Sequence, residues 1–69
     1  MITIIVNDRA LEIAKETATV ADLVEVLDLA SRRFFIIEKN GDVITKAHYA
    51  TESVNHNDSF EIVHFVGGG

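Results

Sequence analysis

Few side chains in this sequence could do chemistry, and their spacing argues against most of it. None of the three histidines, His48, His56 and His64, has a partner at the i, i+4 spacing of a helical zinc site. The eleven Asp and Glu residues are scattered over positions expected to be exposed, with no close pair for acid–base work. Ser31, Ser53 and Ser59 lack the strand–turn–helix setting of a serine nucleophile. There is no cysteine, which excludes disulfides, thiolate zinc sites and a thiol nucleophile. No glycine-rich phosphate loop precedes a helix. Neither an independent active site nor a metal site is expected.

What remains is a main-chain group. The sequence closes on "FEIVHFVGGG", an alternating strand followed directly by Gly67, Gly68 and Gly69. A frayed end is the ordinary reading of such a tail. A well-patterned strand at its base, however, would hold one end rigidly and leave the tip free. Extended, Val66 to Gly69 reaches roughly 13 Å at about 3.3 Å per residue. Without β-carbons, the last residues can enter a channel too narrow for side chains. The reactive group would be the α-carboxylate of Gly69, with no side chain crowding an attacking nucleophile.

The elements that must position this tail follow from periodicity. Ile2 to Val6 is β-branched and apolar, with Ile2, Ile4 and Val6 on one face. Asn7-Asp8 tolerates positive φ and suits a hairpin turn into Ala10–Ala14, where Leu11 and Ile13 share a side. The period then changes. Val20, Leu23, Val24 and Leu27 form a helical stripe, with Thr19 as N-cap, Asp22 in the first turn, and an end near Leu29 or Ala30. "FFIIE" reads as a buried strand, and Asn40-Gly41 as the turn of a second hairpin into "VIT". Residues 46–58 are polar and predict a loop with one irregular helical turn. In the last strand Phe60, Ile62, His64 and Val66 alternate with Glu61, Val63 and Phe65.

These elements, ββ-α-ββ-loop-β, predict an α+β fold with four to five strands in a mixed sheet packed on one helix. The first and last strands would be central parallel neighbours, with the helix in the crossover. One helix covers one sheet face and leaves the other to solvent or a partner. This is the β-grasp (ubiquitin-like) architecture. Residues 1–66 would be the domain and 67–69 a flexible glycine tail. Sixty-nine residues allow a single core, and a 48% hydrophobic content supplies it.

Composition narrows the partners. A net charge of −5 argues against nucleic acid, whose phosphates need a basic face. No apolar stretch approaches the roughly 20 residues needed to cross a bilayer. The N-terminal run lacks the basic segment and cleavage site of a signal peptide. Absence of cysteine fits a reducing cytoplasm.

A β-grasp domain ending in Gly-Gly resembles the sulfur-carrier and ubiquitin-like superfamily. Within it the sequence is most similar to the ThiS family of sulfur carriers in thiamine thiazole biosynthesis. The likeness covers nearly the whole chain, through "IIVND", "TVADLVEVL", "IIEKNGDVITK" and, most specifically, "DSFEIVHFVGGG". The chain departs from the family's usual turns at Asn7-Asp8, Thr45-Lys46 and Asn57-Asp58, where Asn-Gly, Pro-Arg and Gly-Asp are common.

The resemblance implies a carrier and not an enzyme. A ThiF-like adenylyltransferase would use ATP and Mg²⁺ to convert the Gly69 carboxylate to an acyl-adenylate. A sulfur-donating persulfide enzyme would then displace AMP, leaving a thiocarboxylate for thiazole synthase. The carrier itself would bind no cofactor. Gly67 and Gly68 would give slim access for the tail. Val63 and Phe65, with Val66, would form an exposed docking patch that Ile5 extends on the first strand, and Glu61 could meet a basic partner. Two rival readings stand beside this. One is a MoaD-like carrier for molybdopterin or a ubiquitin-like modifier; MoaD proteins are usually longer and their tails tend to carry prolines, which this chain lacks, and that speaks against the first. The other is a β-grasp interaction module whose glycines are a loose end.

Overall fold

The computed structural model describes residues 1–29 and 34–65. Five strands form one sheet: β1 (Ile2–Val6), β2 (Arg9–Ile13), β3 (Phe35–Lys39), β4 (Asp42–Ile44) and β5 (Ser59–His64). Their order is β2-β1-β5-β3-β4. β1 and β5 run parallel at the centre, and the β1–β2, β3–β4 and β3–β5 pairs are antiparallel. The single helix among the described residues longer than one turn, α1 (Val20–Val26), lies in the crossover as the sequence predicts.

Both hairpin turns form where the asparagines stand. Asn7 and Asp8 have φ of 49° and 68°, and Asn40 and Gly41 have 50° and 93°. Two successive left-handed residues give the backbone twist that joins adjacent antiparallel strands, and Asn, Asp and Gly carry the lowest steric cost there.

Every orphan N–H at the start of α1 finds a partner. Val20 N donates to Glu52 O and Ala21 N to Tyr49 O, each within 2.9 Å, so the 46–58 loop caps the helix from outside. Asp22 N donates to Thr19 Oγ1 (3.3 Å), and Leu23 N to Thr19 O (3.0 Å). In return Asp22 Oδ2 accepts from Ala18 N and Thr19 N at 3.0 and 3.1 Å, completing a capping box. Those backbone donors hold the Asp22 carboxyl below its ordinary value of 3.8. A depressed folded-state pKa stabilises the fold above the unfolded value and loses that effect as pH falls through the folded one. Asp22→Asn should therefore flatten the acid limb. The stability gap between wild type and variant should be constant near neutral pH and shrink below about pH 4, as urea midpoints across the range will show.

The helix stops earlier than its apolar stripe suggests. Leu27 is the C-cap, and Asp28 turns left-handed at φ 55°, which carries Leu29 down into the core as a buried residue outside the helix. Ala30, the other end expected from sequence, lies outside the described residues. The core is Ile4, Ile13, Val20, Leu23, Leu29, Ile37, Val54, Phe60 and Ile62, between α1, the sheet and the returning loop. "FFIIE" is not buried throughout: Ile37 is fully covered, but Phe34 and Ile36 are exposed on the other face. One sheet face meets the helix and the second is open, so alternate residues of this apolar run point outward.

The 46–58 loop contains one short 3₁₀ turn, Lys46–His48, and Val54 anchors it in the core. Lys39, at the end of β3, ties it to the sheet. Its Nζ lies 3.0 Å from Glu52 Oε2, 2.8 Å from Ser53 O and 3.1 Å from Ser53 Oγ, with Asp58 Oδ2 at 3.8 Å. The side chain is only 14% exposed, so water cannot readily replace these partners. Lys39→Met keeps the apolar stem but strands Glu52 and a loop carbonyl. We expect a loss of about 2 kcal/mol in urea unfolding, well beyond a surface ion pair.

Candidate functional site

The histidines are occupied with structure. His56 Nδ1 accepts a hydrogen bond from Thr3 N (3.0 Å), which pins the loop beside the start of β1. His48 Nδ1 is 2.9 Å from Thr45 Oγ1 across the 3₁₀ turn. His64 packs its ring at 6.5 Å from Phe35, which stacks on Tyr49 in turn. Burial raises the Tyr49 phenol pKa. Among the described residues no cluster of His, Asp and Glu could hold a metal.

The open face of the sheet is the distinctive surface. β5 presents Phe60 and Ile62 to the core and turns Glu61 and Val63 outward, followed by Phe65. Val63 is 38% and Phe65 52% exposed, as the alternation predicts. The register adds residues that local sequence does not reveal. Ile36 of β3 stands directly opposite Val63 and is 37% exposed. Phe34, 58% exposed, accepts from Phe65 N through its carbonyl (2.9 Å), continuing the ladder. Val43 of β4, opposite Glu38, is also 58% exposed. The patch thus spreads from β5 across β3 toward β4.

Ile5 borders it on the β1 side. The residue lies on the same open face, pairs with Ser59 of β5 and is partly exposed. The polar side of the patch is acidic: Glu38 and Glu61 are direct cross-strand partners. Like charges so placed repel, and no described residue forms an ion pair with either. Val66, Gly67, Gly68 and Gly69 lie outside the described residues.

A mixed sheet with parallel central strands on one helix, and an exposed apolar face beside the strand that leads to three glycines, defines a β-grasp domain of the carrier type. A sequence model of the ThiS family matches residues 4–69. The chain belongs to the ThiS family. It is 36% identical over 63 residues to the sulfur carrier protein ThiS of Bacillus subtilis, covering 91% of this chain and 94% of that one. It is also 41% identical over 51 residues to a thiazole synthase of Paramagnetospirillum magneticum, spanning 74% of this chain but 15% of that enzyme. The fold superposes on the crystal structure of a thiamine biosynthesis protein (ThiS) from Geobacter metallireducens with a TM-score of 0.83. The two are 25% identical and are covered to 99% and 100%.

Proposed function

We infer that this chain is a sulfur carrier of thiamine biosynthesis, and propose that sulfur travels as a thiocarboxylate on Gly69. The observation that carries the reading is a ThiS family match extending through residue 69, over the three glycines that follow β5. A carboxylate is a poor electrophile because its charge is shared by two oxygens. A ThiF-like adenylyltransferase, using ATP and Mg²⁺, joins it to AMP with release of pyrophosphate. A persulfide sulfur then attacks the Gly69 carbonyl carbon and AMP leaves. Reductive cleavage of the resulting acyl disulfide by a thiol frees the thiocarboxylate. Gly67 and Gly68 let the tail pass through a narrow channel. The carrier binds no cofactor and is a substrate in the cytoplasm, not a catalyst.

Val63, Phe65, Ile36 and Phe34 form the docking surface, with Val66 at the start of the tail. A partner with an apolar centre and a cation toward Glu38 and Glu61 fits this face, since that cation would relieve their repulsion. Thiazole synthase is the proposed acceptor. The Paramagnetospirillum match supports it, because there a segment like this chain is part of a thiazole synthase polypeptide. Incubation with the adenylyltransferase, ATP and a persulfide donor should raise the intact mass by about 16 Da, one oxygen replaced by sulfur. An unchanged mass would favour the plain interaction module. Transfer to molybdopterin synthase alone would favour the MoaD-like reading.

A further inference from the structure

The turn asparagine Asn7 does more than turn the chain. β1 leaves its parallel partner β5 after the Val6–Phe60 pair, and Asn7 N makes the last main-chain bond, to Phe60 O (3.0 Å). At φ 49° the Asn7 carbonyl no longer lies where the next rung of the ladder needs an acceptor. Its side chain supplies that rung. Ile62 N donates to Asn7 Oδ1 (2.7 Å), and Asn7 Nδ2 donates to Ile62 O (3.2 Å). The amide thus stands in for the missing peptide group and extends the pairing of β5 to Ile62 on its β1 side.

Asn40 grips the same strand at its other end. Its Oδ1 accepts from Ser59 N (2.9 Å), and Asn40 N donates to Ser59 O (2.7 Å). One turn asparagine holds the beginning of β5, and the other holds the part nearest the tail. Without the Asn7 amide, the last hold from the β1 side retreats from Ile62 to Phe60. Residues 61–65 would then depend on β3 alone.

We propose that Asn7 is a positioning residue for sulfur loading: by bonding both polar groups of Ile62 it fixes the strand from which the glycine tail is presented to the adenylating enzyme. The proposal rests on the carrier reading above. Freeing one side of residues 61–65 leaves the carboxylate chemistry intact but adds residues to be ordered at each encounter, so affinity should suffer and turnover should not.

The test is pyrophosphate release by the adenylyltransferase with full-length carrier as the varied substrate. Asn7→Gly keeps a residue suited to positive φ and deletes only the amide; Asn40→Gly does the same at the far end. Asn7→Gly should raise the KM for carrier about tenfold with kcat within about twofold, and Asn40→Gly should leave KM at the wild-type value. Both variants should unfold at lower urea, so stability alone cannot produce the difference. The Ile62 amide should exchange with solvent about tenfold faster or more in Asn7→Gly than in Asn40→Gly. An unchanged KM in Asn7→Gly, or an equal rise in both variants, overturns the proposal. If wild type itself is not adenylated, the carrier reading falls and the proposal with it.

Discussion

Carrier lacking Gly69 should acquire no sulfur at all. Incubated with the adenylyltransferase, ATP and a persulfide donor, wild type should gain about 16 Da while the truncated protein keeps its mass. The truncation leaves the α-carboxylate on Gly68, one residue or about 3.3 Å short along an extended arm. Nucleophilic displacement demands that the reacting atoms come within about 3.5 Å in the right orientation. A full residue of shortfall therefore removes the reaction instead of slowing it. Nothing in the folded body is touched, since the described core draws on no residue beyond Ile62, so thermal unfolding should be unchanged. Gly69→Ala separates reach from bulk. It restores the length and adds one methyl beside the carboxylate, and loading should fall sharply if the channel admits only glycine. Full loading of the truncated chain would remove Gly69 from the chemistry.

Val63→Asp should lower kcat/KM for adenylation by about a hundredfold, with the fold intact. Val63 faces away from the core, so a carboxylate there is solvated in the free protein and stability should shift little. On docking, that charge would be pressed into an apolar contact opposite Ile36 and next to the facing pair of Glu38 and Glu61. Stripping water from an unpaired carboxylate costs about 2 to 3 kcal/mol or more, which corresponds to that factor. Val26→Asp is the matched control. Val26 is just as apolar and more exposed, at 53%, but sits on α1, away from the open sheet face. It should leave the kinetics unchanged. Equal effects of the two substitutions would mean that net charge, not the open face, governs the encounter.

Much of this fold was legible because local rules and the global arrangement agree. The asparagine turns, the Thr19–Asp22 box and the two faces of β5 all stand where residue type and period place them. The departures have a common cause. Apolar runs do not reveal how many of their faces are covered, so "FFIIE" reads as buried when Phe34 and Ile36 are surface. Ile36 is invisible as a neighbour of Val63 until the register sets the two opposite each other. Lys39 resembles any solvated strand lysine until the loop carrying Glu52 and Ser53 closes over it. Asn7 looks complete as a turn residue, which hides the second task of its side chain. Long-range register leaves no trace in a short window of sequence.

β5 follows the other four described strands in the chain, yet it occupies the middle of the sheet. Until residues 59–64 have left the ribosome, the β1–β2 hairpin and the β3–β4 hairpin have no common neighbour, and Phe60 and Ile62 are missing from the interior. Prematurely terminated chains therefore cannot complete the native topology, and fall to proteolysis as unfolded polypeptide. Only a chain that already includes β5 can display the surface that an activating enzyme would inspect.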